Sequence, residues 1–407
     1  MRIIIIGAGV SGIASAVGLS AAGHEVELYE RGDLLRAGGN GVLIWHNGTG
    51  ILGELGIPLE GLGTRIDTAD VWANDGTPLM RTDLSEIARE FGSPGIGVMR
   101  GQVVDRLAAA LPDGVLRTGK QCTGIVHKGP RGARSVEVTF ADGTVTEGDV
   151  LIGADGYRSV VRTHLFGEDH AQYTGLASWH GTTTLPLDLG AVHAVPTFYG
   201  KKGLCTLHPA GDGLIHWSFE VPFSNGLEHV PPPGADLVHP VDTGKRLERL
   251  RQDFGDWAKP VSSLLDLLTE EDIAEAPHTT HKVPKVWGRG PITMVGDAAH
   301  AIPPRAGWGV NQALEDAWVL SRTLVGDGDP VAALRAYEQA RRPYARKVLG
   351  RAKMLRHSNS LLLLLKATRD GLQSTKMLRA NIKNCSNFLN GDLPPGRGAR
   401  PGTSAAA

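Results

Sequence analysis

Residues 1–30 read MRIIIIGAGVSGIASAVGLSAAGHEVELYE. Ile3 to Ile6 is an unbroken apolar run, the pattern of a strand buried on both faces of a parallel sheet. Gly7, Gly9 and Gly12 follow at once as G-x-G-x-x-G. In that spacing the first glycine turns the chain, the second lets the backbone approach a pyrophosphate, and the third lets the next helix pack close. Small residues such as Ala14, Ala16 and Ala21 fill that helix, Gly23-His24 ends it, and Glu25 to Tyr29 reads as a second strand. Glu30, with Arg31 beside it, then closes the unit. A strand-end carboxylate at this distance from the glycines accepts from ribose hydroxyls and disfavours a 2′-phosphate. The glycines alone are a weak signal. Strand, turn, helix, strand and terminal acid together point to an ADP-containing dinucleotide, FAD or NAD rather than NADP.

A second stretch, Ile292 to Ala317 (ITMVGDAAHAIPPRAGWGVNQALEDA), repeats the logic. Ile292 to Val295 reads as a buried strand broken by Gly296-Asp297. Pro303-Pro304 stiffens the next turn, and Gly307-Trp308-Gly309 opens a helix whose Val310, Leu314, Ala317 and Trp318 share one face. A strand's carboxyl end beside a helix N-terminus is where an open α/β sheet binds its ligand. Asp297 offers an acceptor there, and the N–H groups of Gly309, Val310 and Asn311 offer donors at the positive end of a helix dipole. That pairing suits a flavin, with Asp297 on the ribityl chain and the helix start facing the ring edge that becomes anionic on reduction. A third strand-end acid is Asp155-Gly156, after the apolar run Val150 to Ile152.

The intervening chain supplies the remaining parts. Arg36, Gly38, Gly39 and Gly41 form a flexible cationic loop able to lie along a pyrophosphate or flavin, and His46 after it reads as structural. Thr68 to Leu79 alternates around Asn74-Asp75-Gly76, a hairpin signal. Met99-Arg100-Gly101 starts a helix, which puts Arg100 where a cofactor-facing cation fits. Val115 to Thr146 carries several short strands. Ala171 to Val221 is strand-rich, with segments predicted at Thr182–Leu185, Pro196–Tyr199, Leu204–Leu207 and Leu214–Val221. Leu247 to Leu268 reads as one helix and Pro330 to His357 as another, whose many arginines read as a solvated face. Ser360 to Cys385 reads as further helix.

At 407 residues with a formal net charge of -1, the chain has ample core and no electrostatic footprint for nucleic acid or an anionic membrane. Its apolar runs are too short for a secretory signal or a membrane span. Three widely spaced cysteines without C-x-x-C point to free thiols in a reducing cytoplasm and away from redox-disulfide chemistry. No metal-ligand spacing is present.

Taken as a set, G-x-G-x-x-G with Glu30, Asp155-Gly156 with Arg158 and Arg162, and Gly296-Asp297 with Pro303-Pro304 and Gly307-x-Gly309 resemble the class A single-component FAD-dependent monooxygenases, the p-hydroxybenzoate and salicylate hydroxylase group. The resemblance covers residues 1 to about 350. It implies an α/β fold: a Rossmann-like FAD-binding domain (1–70, 100–170 and 286–350), a β-sheet substrate domain (71–99 and 171–285), a C-terminal helical segment (351–395) and a disordered tail (396–407).

The resemblance also implies non-covalent FAD held by Gly7, Gly9, Gly12, Glu30 and Arg100, by the Asp155-Gly156 motif, by Asp297 on the ribityl chain, and by a flavin-edge loop of Pro303, Pro304, Gly307, Gly309, Val310 and Asn311. NADH or NADPH would reduce the flavin, O2 would then give a C4a-hydroperoxide, and its distal oxygen would attack an electron-rich small molecule, aromatic or polycyclic. No catalytic triad is expected. His180, His208, His216 and Tyr199 are candidate bases by type and region only. Trp308 and Arg305 depart from the family's usual loop. A flavin dehydrogenase that does not use O2 is the alternative. A monomer or homodimer is expected.

Overall fold

The computed structural model describes residues 1–35, 39–129, 135–167, 170–184, 192–233, 235, 244–326, 328–355 and 371–393; for 354, 355 and 371–373 only the backbone is described. Arg36 and Gly38, the turn at 130–134, the residues after Leu355 up to 370 and the tail from 396 lie outside these residues, as does Leu185 of the strand predicted at Thr182–Leu185.

Arg2–Ile6 is the centre of a five-stranded sheet ordered Ile292–Met294, Val150–Gly153, Arg2–Ile6, Glu25–Tyr29, Leu116–Arg117. Every join is parallel. Parallel strands need cover on both faces, and the isoleucines have it: Ile3, Ile4 and Ile5 are fully buried. One cover is the helix Val10–Ala21, packed along Gly309–Thr323. Small residues permit this approach; a Cβ on Gly18 would stand 2.9 Å from Ser321 Cβ. Another contribution is the antiparallel sheet Cys122–His127, Val136–Phe140, Val145–Gly148, whose Phe140 ring lies 4.5 Å from Tyr29.

A second, seven-stranded sheet is ordered Ala274–Thr280, Gln172–Thr183, Leu214–Pro222, Gly203–Gly211, Ala194–Gly200, Thr68–Ala73, Pro78–Asp83. Alternation sorts its side chains onto two faces. Ile215, Trp217, Phe219 and Val221 join Cys205, Leu207 and Ala177 in a core closed by Leu250, Phe254, Leu264 and Leu265. Gly41–Ile44, Gly95–Met99 and Thr64–Ile66 form a small antiparallel sheet next to it. That neighbouring approach depends on Gly97, where a Cβ would meet Pro209 O at 1.9 Å.

Three sequence expectations need correction. The helix expected over Leu247–Leu268 is two, Arg246–Phe254 and Val261–Leu267, because Pro260 cannot continue a helical hydrogen-bond ladder. The strand predicted to begin at Thr182 instead spans Gln172–Thr183 and pairs on both sides. The arginines of Pro330–Leu355 are not all solvated: Arg341 is fully buried. Leu334, Tyr337, Glu338, Arg341, Ala345 and Val348 recur at helical spacing, and that stripe faces the core. The helix Leu84–Phe91 and the strands Gly41–Ile44 and Gly95–Met99 were not anticipated. All three cysteines are free and buried. Among the described residues no helix is long and apolar enough to cross a membrane, and no group of acidic, His or Cys side chains could hold a metal.

Candidate active site

Tyr29, Ile6, Gly153 and Met294 lie in register along the carboxyl edge of the parallel sheet. The chain therefore leaves neighbouring strands at Glu30, Gly7, Asp155 and Asp297. Three strand spacings separate the outer two strands, roughly 14 Å, which suits one extended ligand. A cavity of about 500 Å³ opens on this edge, and Gly7, Gly9, Glu30, Arg31, Arg100, Asp155 and Gly156 line it.

The geometry of the glycine turn is that of a cradle. Gly7 has φ 101°, and a Cβ there would stand 2.5 Å from Ala154 O; a Cβ on Gly12 would stand 1.9 Å from Gly7 O. A Cβ on Gly9 would meet only Arg100 Nη2, at 3.9 Å. No side chain caps the helix that begins at Val10, so its first N–H groups and their dipole are offered to an anion. Glu30 accepts from Ala8 N at 2.9 Å and Gly32 N at 3.0 Å, one bond on each oxygen. Each oxygen keeps a lone pair for a hydroxyl. Donors at the glycine turn, an acceptor at Glu30 and a cation at Arg100 fit an ADP moiety.

Asp155 behaves differently from the strand-end acceptor expected of it. Its carboxylate takes bonds from Ser159 Oγ at 2.5 Å, Val160 N at 2.7 Å and Val161 N at 3.3 Å, and so meets the first amides of the helix Val160–Phe166, which Ser159 caps through Arg162 N. Burial pushes its carboxyl up, against the pull of these donors. Arg36 lies outside the described residues.

Asp297 is open to solvent beside its buried neighbours. Although its side chain reaches solvent, the protein packed around it desolvates the carboxyl and pushes it above the usual range, with His300, Arg100 and the Ile302 amide pulling the other way. The turn that presents it is fixed from behind. Gly296 has φ 57°, and a Cβ there would stand 2.7 Å from Ser11 Oγ. Gly296 N and His300 Nε2 both reach Asp316 Oδ2 at 2.7 Å, and Arg341 Nε reaches Asp316 Oδ1 at 2.6 Å. Arg341 also donates to Asn387 Oδ1 and Gln312 Oε1, both at 2.7 Å. Burial pushes Asp316 up, but His300 and Arg341 outweigh it and hold the carboxyl below its ordinary value.

The loop after Asp297 reaches Gly309–Thr323, which also has no side-chain cap. A Cβ on Gly309 would meet nothing within 4 Å, so space lies before the helix start. The main-chain N–H groups of Gly309, Val310 and Asn311 are at that start. The Asn311 side chain is committed elsewhere: it accepts from Trp45 N at 2.8 Å and donates to Leu43 O at 3.0 Å. Trp45 Nε1 in turn donates to Gly307 O at 3.0 Å. Sequence reasoning missed Trp45, and nothing local marks it. Pro303 and Pro304 hold the turn that contains Arg305.

Opposite the apolar face of the seven-stranded sheet is a buried polar one. Ser178, His180, His208, His216, Glu220 and His278 are each buried there, and strand register places them together: Ser178 opposite Glu220, and His208 opposite His216. The His216 ring lies 5.6 Å from His180 and 4.8 Å from His208. Burial pushes His180, His208 and His278 down to about 4 and His216 well below its ordinary value. These imidazoles are therefore neutral at pH 7. Arg305 crosses from its loop to pair with Glu220. Burial pushes Glu220 up to about 6, against Arg305. Tyr199 is close enough to feel both charges. Of these residues the sequence reading names His180, His208, His216 and Tyr199 by type, leaves Glu220, Ser178 and His278 unnamed, and marks Arg305 only as unusual. The alternation Ile215-His216-Trp217-Ser218-Phe219-Glu220-Val221 carried the signal.

Residues 127–352 match the family model described as FAD binding domain. The chain is 34% identical to 3-amino-4-hydroxybenzoate 2-monooxygenase of Streptomyces platensis, over 88% of each chain. It is 29% identical to salicylate hydroxylase of Pseudomonas putida, over 86% of this chain and 83% of that one. The structure superposes on Klebsiella pneumoniae HpxO in complex with FAD and uric acid with a TM-score of 0.83 and 25% identity, over 94% of this chain and 97% of that one. Nothing among these relatives favours a dehydrogenase that does not use O2. The α/β architecture, the ADP cradle and these matches together place the chain in the class A FAD-dependent aromatic hydroxylases, NAD(P)H-using flavoprotein monooxygenases.

Proposed function

We propose that the chain hydroxylates a small aromatic molecule bound between the polar face of the seven-stranded sheet and the Pro303–Trp308 loop. The observation that carries this is the buried polar face itself. A sheet face packed only against protein favours apolar residues, because each buried polar group costs free energy unless it is bonded. Here one face is a hydrophobic core, and the other presents Ser178, Glu220, His278 and three more imidazoles; Ser178 is bonded to His278, His208 to Pro209 O and His216 to Gly41 N, whereas Glu220 Oε2 has no partner. It also meets the loop that follows Asp297, through Arg305.

FAD, when bound, supplies the activation of O2. The chain's own residues position it. Gly7, Gly9, Gly12, Glu30, Arg31 and Arg100 would hold the ADP half, and Gly296-Asp297 would accept from the ribityl chain. The amides of Gly309, Val310 and Asn311, steadied by Pro303, Pro304 and Gly307, would face the flavin edge and favour negative charge there. Asp155-Gly156 would shape the cavity wall from behind the helix start that Asp155 meets. Neutral His180 and His278 beside the substrate would add no competing cation there. The division into an FAD domain (1–70, 100–170, 286–350), a substrate domain (71–99, 171–285) and a helical segment (351–395) follows this assignment. A cytoplasmic monomer or homodimer fits the free thiols.

The test is a visible spectrum of the purified protein, then NAD(P)H oxidation and O2 uptake with a panel of hydroxy- and aminobenzoates. Flavin absorbance, uptake that depends on the aromatic, and a product one oxygen heavier are expected. Flavin with no aromatic-dependent uptake across the panel would defeat the proposed substrate class.

A further inference from the structure

We propose that Arg305 and Glu220 are the substrate anchor, a specificity-determining pair that together reads an anionic or carbonyl oxygen and a neighbouring O–H or N–H on one aromatic ring. The inference rests on the substrate position proposed above. Arg305 sits in the short turn Pro304–Ala306, and Glu220 in the strand Leu214–Pro222. Their side chains are only 7% and 6% exposed.

The ion pair does not satisfy its own members. Arg305 Nε and Glu220 Oε2 are both buried without a hydrogen-bond partner. Burying two charges costs several kcal/mol per ion unless the remaining donors and acceptors are met. A contact that served only to hold the loop on the sheet would be better made of apolar groups. The protein neighbours do not fill the gap. His278 Nδ1 is 3.9 Å from Glu220 Oε2, beyond hydrogen-bond reach, and its Nε2 is engaged with Ser178 Oγ at 2.7 Å.

What remains unsatisfied is one cationic donor next to one anionic acceptor. Its complement is an acceptor next to a donor, as in an ortho-hydroxy or ortho-amino aromatic acid. The guanidinium favours a charged oxygen, and the carboxylate repels one and requires a proton-bearing partner. Neutral His180 and His216 add no charge of their own, so the pair sets the selectivity. Because Arg305 belongs to the loop between Asp297 and the helix start, a ring held on it lies beside the proposed flavin edge.

The experiment is a titration of the FAD-loaded enzyme with salicylate, benzoate and phenol, read by perturbation of the flavin absorbance. Salicylate satisfies both open groups, benzoate only the guanidinium, and phenol neither fully. In the wild type each step of that order is expected to be worth about tenfold in Kd, one charge-assisted hydrogen bond. Glu220→Gln should shrink the salicylate-over-benzoate step to about threefold or less and leave benzoate unchanged. Arg305→Lys should weaken salicylate and benzoate together and spare phenol. Wild-type Kd values within about threefold of one another, no binding of any probe at millimolar concentration, or variants that weaken all three alike would overturn the proposal. In the last case the pair merely fixes the loop. Failure of the proposed function would look different, as missing flavin colour or missing O2 uptake in the wild type.

Discussion

Asp316→Asn tests whether the turn that presents Asp297 is built from behind. Asp316 and Arg341 are both fully buried. The carboxylate receives Arg341, His300 and the Gly296 amide, and the substitution keeps its volume while removing its charge. Breaking a buried pair costs about 3–5 kcal/mol, because it leaves a charge uncompensated. The lower end, about 3, applies here, since Arg341 retains neutral acceptors on Asn387 and Gln312 and the attraction of the buried Glu315 carboxylate. Against a total stability of about 5–15 kcal/mol, that loss is visible in urea unfolding followed by tryptophan fluorescence. The Gly296 amide also loses a charged acceptor, and FAD affinity should fall about tenfold, one such bond. Adding Arg341→Met removes that cation, and the buried Glu315 carboxylate beside it keeps its bonds from Asn47, Asn387 N and Phe388 N, so the double variant should regain part of the stability while FAD affinity stays low. A single variant that unfolds and titrates like wild type would refute the network argument. A double variant that recovers FAD affinity with stability would show that Asp316 acts on the fold alone.

Two further outcomes are expected. Asp297→Ala removes a solvent-open acceptor rather than a packed side chain, so FAD titration should weaken by about 0.5–1.5 kcal/mol with the unfolding midpoint unchanged. An unaltered titration would remove Asp297 from the cofactor site. Stability should also fall as the solution is acidified from pH 6.5 towards 4. His46, His180, His208 and His278 are pushed down to about 4 by burial and His216 further, so over that window the unfolded chain binds their protons and the folded one does not. Glu220, raised to about 6, acts in the opposite sense, because its proton is held by the folded state. Asp155 and Asp297, also raised, act in the same sense as Glu220, and each proton of net difference is worth about 1.4 kcal/mol per pH unit; a flat profile in urea melts between pH 6.5 and 5 would contradict the buried, neutral imidazoles.

The parts legible in the sequence share one property: their reasons are local. Ile3 to Ile6, the glycine turn, the small-residue helix and Glu30 are each dictated by neighbours within a few residues, and the strand Arg2–Ile6, the helix Val10–Ala21 and the strand Glu25–Tyr29 stand where the pattern put them. The helix Leu84–Phe91 is equally legible. Asp83 caps it by accepting from Ser85 N and Glu86 N, and Gly92 ends it at φ 70°, a complete start and stop signal. Arg341 shows a different limit. Counting arginines in Pro330–Leu355 describes composition, whereas the 3.6-residue stripe through Leu334, Tyr337 and Ala345 already assigned position 341 to the interior.

The substrate side was legible only by half. Period-two alternation in Leu214–Pro222 states that His216, Ser218 and Glu220 share a face opposite Ile215, Trp217, Phe219 and Val221. It does not state which face is core, because tryptophan and phenylalanine would also line an aromatic chamber. Two helices decide it. Arg246–Phe254 and Val261–Leu267 bring Leu250, Phe254, Leu264 and Leu265 onto the apolar side, and the polar side is left to face Arg305. The pairing of Arg305 with Glu220 links residues 85 apart in sequence and depends on the register of a sheet whose neighbours are not consecutive. The cofactor edge is thus encoded in contiguous motifs. The surface that chooses the substrate is encoded in which of two faces the helices cover, and a single strand slip of one residue would exchange them.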